Sequence, residues 1–176
     1  MLYLRKHGKH INMLTLNTDV ERPALLREMP PVVQLSSLYL CGFRLHLQPG
    51  QGLQGMLGAA AAVAALKHLE LRDCKLLDDI EGLATTMLQL TGLEHLTIYS
   101  PLWDGVSREN EPVRFPTFVL EKLQQLTRLG LVGTACGPLQ PMQALSRLLD
   151  LHIDMVCAPL GEHASVSSSM LSQALD

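Results

Sequence analysis

The chain has 176 residues, of which 47% are apolar, 18% charged and 4% aromatic, and this balance excludes an intrinsically disordered protein. Its 14 Lys and Arg residues against 17 Asp and Glu residues give a net charge of −3, so no basic excess exists to neutralise a nucleic-acid backbone. The four cysteines have no metal-type spacing and are too few for a disulfide scaffold.

Leucine dominates the apolar residues, with 37 copies against four of isoleucine, which suggests one side chain filling a repeated position. The pattern apolar-x-x-apolar-x-apolar recurs six times, at a mean spacing of about 27 residues. Its copies begin at Ile11, Leu35, Leu66, Leu93, Leu126 and Leu148. The last two apolar residues of each copy are two apart and therefore share one face of a strand. The pattern predicts six short strands near 11–17, 35–41, 66–72, 93–99, 126–132 and 148–154.

The segments between these strands indicate helices. Residues 53–65 are rich in alanine, which favours helix. Residues 81–90 carry Leu83, Met87 and Leu90 at helical spacing. Further helices are expected at 117–125 with Thr117 as the cap, at 141–147, and at 165–174. Alternating strands and helices predict an α/β fold with a parallel sheet, a single domain over 1–176, and neighbouring units that bury one continuous leucine core.

These features resemble the leucine-rich repeat superfamily. The best match is Leu66-Lys-His-Leu69-Glu-Leu71-Arg-Asp-Cys74, which is similar to the cysteine-containing repeats associated with F-box proteins. Thr134 stands at the position of Cys74 in its own repeat, whereas Asp19, Phe43, Pro101 and Val156 depart from the subtype there. The irregular spacing is similar to repeat families common in green algae and plants. The resemblance implies a curved solenoid with about six strands on its concave side and helices on its convex side.

Within such a solenoid, the residues flanking and separating the two inward leucines face outward on the concave sheet. They form three columns across neighbouring strands. The first is Met13, Ser37, His68, His95, Arg128 and Asp150; the second is Thr15, Tyr39, Glu70, Thr97, Gly130 and His152; the third is Asn17, Cys41, Arg72, Tyr99, Val132 and Asp154. Tyr and Arg are enriched at binding hot spots, so we expect this face to dock a protein. The candidate contact residues are Tyr39, His68, Glu70, Arg72, His95, Thr97, Tyr99, Arg128, His152 and Asp154.

Residues 99–117 form the longest insertion and are expected to be a loop, with Trp103 as a candidate binding residue. His7 and His10 lie close in sequence, where an exposed turn is the simpler interpretation. No N-terminal cap precedes Ile11, which suggests a fragment of a longer array; the alternative is a minimal cap over residues 1–10.

The sequence contains no glycine-rich phosphate loop, nucleophile elbow or zinc-protease motif, so we expect a non-catalytic protein without a cofactor or metal. Its partner is expected to be a protein, with no nucleic acid or membrane, and the chain to be a monomer or part of a larger complex. Substrate-recognition repeats of an F-box-type ubiquitin ligase are one alternative, and a structural part of a ciliary or cytoskeletal assembly is another. A metal protein or enzyme using His68, His95 and Glu70 is the least favoured. The cytoplasm is the expected location, because the start of the chain lacks the apolar stretch of a signal peptide, with cilium, cytoskeleton or nucleus as alternatives.

Overall fold

A computed structural model describes residues 11–18, 24–26, 35–45, 65–76, 80–100, 114–157 and 162–166. In these ranges the chain is an α/β protein with a largely parallel sheet that is not closed into a barrel. The strands are β1 (Met13–Asn17), β2 (Ala24–Leu26), β3 (Ser37–Cys41), β4 (Phe43–Leu45), β5 (His68–Arg72), β6 (Lys75–Leu76), β7 (His95–Tyr99), β8 (Arg114–Phe115), β9 (Arg128–Cys136), β10 (Asp150–Cys157) and β11 (Glu162–Val166).

The six strands predicted from the repeated pattern are confirmed, and they lie side by side in chain order as β1-β3-β5-β7-β9-β10. Each neighbouring pair is parallel, and the register aligns equivalent apolar residues, as in Leu69 with Leu96 and Leu96 with Leu129. Because the sequence period is two, the leucines of every strand lie on the same side of the sheet.

The aligned leucines form the core. Leu38, Leu69, Leu96, Leu129 and their partners two residues later on β3, β5, β7 and β9 are at most 2% exposed. The apolar residue that opens each of these four copies is buried as well. At the two ends of the parallel set, Leu16 and Leu151 are only partly buried against this core. The leucines of one strand are fully covered only when a strand lies on each side of it, so burial is greatest in the middle of the sheet.

A repeated backbone junction sets this register. The carbonyl oxygen of Ser36 accepts N–H groups from Lys67 and His68 at 2.8 and 2.9 Å, and that of Lys67 accepts N–H groups from Glu94 and His95 at the same distances. The same two-donor junction joins each successive pair of the six strands. These bonds satisfy backbone groups that would otherwise be unpaired at the strand starts.

One α-helix, α1 (Ile80–Gln89), lies in the described ranges and confirms the helix predicted at 81–90. It buries Leu83, Ala84 and Met87 in the core. Two other predicted helices form as short 3₁₀ helices, Thr117–Lys122 and Gln140–Ala144. A 3₁₀ helix rises further per residue than an α-helix, which suits short connections.

The proposed cap at Thr117 is wrong. Pro116 occupies the cap position, no side chain there bonds the helix backbone, and Thr117 is itself buried in the first turn.

Five strands in the described ranges were not predicted from the pattern. β2, β4 and β6 form a small parallel sheet, β8 pairs with the end of β9, and β11 runs antiparallel to β10. The last of these corrects the helix expected at 165–174, since residues 165 and 166 lie in β11. Pairing with β10 satisfies backbone groups along an otherwise open sheet edge, which outweighs the weak helix preference of a serine-rich segment.

Left-handed backbone occurs directly after β3, directly after β5 and within β9. Gly42, Asp73 and Gly133 have φ of 77°, 51° and 65°. A Cβ at Gly133 would lie 2.6 Å from the Ser100 carbonyl oxygen, and one at Gly42 would lie 2.7 Å from that of Thr18. Only glycine fits so close an approach, whereas Asp tolerates the left-handed region at Asp73.

Several predicted features lie outside the described residues. They are the helix at 53–65, residues 1–10 with His7 and His10, Asp19, Pro101, Trp103 and most of the 99–117 insertion, and residues 167–174.

Candidate functional site

The strand register brings the three predicted columns together on one side of the main sheet, which we call the polar face. Within each column, residues pair in register from strand to strand, as His68 does with His95 and His95 with Arg128. The three columns extend to the exposed Asp150 and His152 and the half-buried Asp154 on β10. Every candidate contact residue within the described ranges therefore lies on this face.

Two imidazoles, those of His68 and His95, lie side by side on the polar face at the start of β5 and β7. The His68 and His95 rings meet edge to face, with centroids 4.3 Å apart. The Ser37 hydroxyl lies 3.0 Å from Nδ1 of His68, which fixes that ring. Desolvation, together with the neighbouring His68 and Arg128, lowers the pKa of His95 below its usual value, because a second positive charge is unfavourable there.

The Ser37–His68 pair has the residue types of a nucleophile and base, but Ser37 is only 6% exposed. The observed effect of this hydrogen bond is to orient the His68 ring.

The three proposed metal ligands do not form a site. The described ranges contain no group of three or more His, Cys, Asp or Glu side chains able to hold a metal ion. His68 and His95 are neighbours, but Glu70 is engaged elsewhere on the face.

Glu70, Arg72 and Tyr99 form a second cluster. Nη2 of Arg72 and Oε1 of Glu70 are 2.9 Å apart, as expected for outward residues two apart on one strand. The Arg72 guanidinium also lies over the Tyr99 ring, 5.7 Å from its centroid. The ion pair and the cation–π contact hold the Arg72 head group in place although its side chain is 56% exposed.

An open depression of about 510 Å³ lies on the face beside this cluster. Its lining comes from β1, β3 and β5: Met13, Thr15, Asn17, Tyr39, Leu40, Cys41, Glu70 and Arg72. The depression combines aromatic, apolar and charged groups.

An ion pair at the strand starts was missed from the sequence. Nζ of Lys67 lies 2.8 Å from Oε1 of Glu94, and this hydrogen bond lowers the pKa of Glu94. Both residues immediately precede a first-column histidine, so their equivalence was visible in the repeat. Only the parallel register shows that they are neighbours.

Cys74 is buried, as the repeat pattern predicts, and its thiol donates to the carbonyl oxygens of Arg72 and Leu40 at 3.4 and 3.5 Å. Burial raises the pKa of this thiol to about 11, so it is a structural group rather than a reactive one. Thr134 and Phe43 are buried at the equivalent positions of their repeats.

Within the part of the chain that the structure describes, no helix is long and apolar enough to cross a membrane. The chain matches no protein-family model and no curated protein. Its function is therefore inferred from the fold and from the polar face.

Proposed function

We propose that the chain is a non-catalytic protein-interaction module of leucine-rich repeat type, a curved solenoid whose concave side is the polar face. The observation that carries the proposal is the continuous register of six parallel strands, which presents three columns of mainly polar side chains beside an open depression. Repeat folds use such extended surfaces as docking platforms.

The cluster of Glu70, Arg72 and Tyr99 supports docking rather than a merely hydrated surface. The Arg72 head group is already positioned by two contacts, so less side-chain freedom is lost when a partner binds. Tyr39, which lines the adjacent depression, is half-buried and offers a rigid aromatic surface.

The test compares two variants as baits in cell lysate. The first replaces Tyr39, Glu70, Arg72 and Tyr99 by Ala. The control replaces Phe118, Glu121 and Lys122 by Ala; these are also an aromatic, an acid and a base, and all are exposed on a 3₁₀ helix.

A partner identified by mass spectrometry is then purified and its Kd measured directly with each chain. The proposal expects at least about tenfold weaker binding to the polar-face variant, since hot-spot truncation costs about 2 kcal/mol or more, and unchanged binding to the control. Equal binding to all three folded chains would refute it.

The buried Cys74 favours one second candidate, the substrate-recognition repeats of an F-box-type ubiquitin ligase. Its burial just after the strand is what the resemblance to those cysteine-containing repeats implies, and its hydrogen bond to Leu40 links it to the preceding repeat. A longer transcript encoding an upstream F-box would support this candidate, and a complete gene beginning at Met1 would weaken it.

A further inference from the structure

Three potentially cationic side chains stand in one row on the polar face. His68 on β5 pairs in register with His95 on β7, which pairs with Arg128 on β9. Neighbouring strands are about 4.8 Å apart, so the three side chains span roughly 10 Å. We call them the basic row.

Two nearby acids form their ion pairs with bases outside the basic row. Glu94 is bonded to Lys67, and Glu70 to Arg72. Among the described residues, exposed Arg128 has no ion-pair partner, although Asp150 follows it in the same column. The row therefore has a charge that an approaching anion can satisfy.

Around His95, the effect of basic neighbours and desolvation exceeds that of acidic neighbours. The charged groups around it are His68 on β5, Arg128 on β9, Asp150 on β10 and the adjacent Glu94. Desolvation, His68 and Arg128 lower the pKa of His95, and the two acids only partly oppose them. An anion bound between the rings and Arg128 would stabilise the protonated imidazole and take up a proton.

We propose that the basic row binds a carboxylate-rich segment of the protein partner, and that this docking strengthens as the pH falls below neutrality. The inference rests on the proposed docking function and gives the partner its chemistry. A polynucleotide fits less well, because the basic row spans only three residues, too few for many phosphate contacts. Carboxylates of Glu remain ionised when His becomes protonated, so attraction grows over that range.

The test measures the binding of labelled hexaglutamate and hexaglutamine peptides to the full chain by fluorescence anisotropy, from about pH 7.5 to about pH 5.5. We expect hexaglutamate to bind about tenfold more tightly at the lower pH, which corresponds to about 1.4 kcal/mol, and hexaglutamine to bind weakly throughout. Inorganic phosphate and a single-stranded oligothymidylate are measured in parallel.

Matched variants assign the effect to the row. Arg128→Gln should weaken hexaglutamate binding at both pH values, whereas Arg44→Gln, which removes the same charge from an exposed residue of β4, should not. His95→Gln should abolish most of the pH dependence of hexaglutamate binding. Circular dichroism establishes that each variant is folded.

Several outcomes would overturn the inference: equal binding of the two peptides, equal effects of the matched variants, or tighter binding of phosphate or oligothymidylate than of hexaglutamate. If hexaglutamate binding fails while the four-residue polar-face variant still loses its partner, the acidic chemistry is wrong and the docking function stands. If the polar-face variant keeps its partner as well, both proposals fail.

Discussion

Replacing Leu96 by Ala tests the register on which the polar face depends. Leu96 is 0% exposed and lies between Leu69 and Leu129 in the stacked row. A Leu→Ala change in a core costs about 2–5 kcal/mol from lost transfer energy and an unfilled cavity. Leucines packed on both sides leave little room for the structure to collapse into the cavity, so we expect Leu96→Ala to lower the free energy of unfolding by about 3–4 kcal/mol.

That loss is a large part of the total, because domains of this size are stable by only about 5–15 kcal/mol. At about 2–4 °C per kcal/mol for a chain of this length, the melting temperature should fall by about 6–16 °C. Leu96→Asp should be worse, since it places an unpaired carboxylate in the core. Replacing the half-buried Leu151 on β10 by Ala should lower the free energy of unfolding less than Leu96→Ala does.

The assay is thermal and urea unfolding followed by circular dichroism, with Thr97→Ala as the control. Thr97 is the next residue on the same strand and faces the opposite side, so its replacement should cost about 1 kcal/mol or less. A one-residue slip exchanges the two faces of a strand. If Thr97→Ala destabilises the protein more than Leu96→Ala, the register and the polar face are both wrong.

The remaining predictions concern Gly133, the Cys74 thiol and the His95 imidazole. Gly133→Ala should destabilise the protein by more than about 1 kcal/mol in urea unfolding, because its φ is 65° and the added Cβ would meet the Ser100 carbonyl oxygen at 2.6 Å. Cys74, with its pKa raised to about 11, should resist alkylation in the native protein at about pH 8 and react only after unfolding, as read by peptide mass spectrometry. Because the pKa of His95 is lowered in the fold, the unfolded chain binds the proton more readily; stability should be full above about pH 6.5 and fall as the pH drops towards the folded-state pKa. Urea midpoints at several pH values measure that fall.

Each of these has an internal comparison. Asp73→Gly, at a turn with φ of 51°, should not destabilise as Gly133→Ala does, and an equal loss would contradict the strain argument. Half-buried Cys41 should be alkylated before Cys74, and the reverse order would show that the Cys74 thiol is accessible. The loss of stability on acidification should shrink in His95→Gln but not in His152→Gln; identical profiles would mean that other groups control it.

Much of the main sheet was predictable because the repeated pattern is strictly local. Leucines two apart must share one face of a strand, so Leu69 with Leu71 and Leu96 with Ile98 indicated both the strands and their buried side. The same parity predicted that Glu70, Arg72 and Tyr99 would be outward. Equal positions in neighbouring repeats predicted the pairing of His68 with His95.

Features that depend on connections were less predictable. The 3₁₀ helices at 117–122 and 140–144 arise because short links must span between packed elements, which overrides local helix preference. The small sheet of β2, β4 and β6 has strands of two or three residues, too short for a sequence period to indicate them. β11 forms because an open edge is available on β10, and no local signal in a serine-rich segment shows that edge.

Sequence alone thus determined which side of its strand each residue occupies, since the period of two is a property of the strand itself. Tertiary structure decided which outward side chains interact. The Arg72 head group could have pointed to any neighbour, and its contacts with Glu70 and Tyr99 exist because parallel pairing places β7 beside β5. Likewise, His68, His95 and Arg128 are neighbours only because parallel pairing places β5, β7 and β9 side by side. Contacts between residues some 30 positions apart depend on strand packing, which no local pattern encodes.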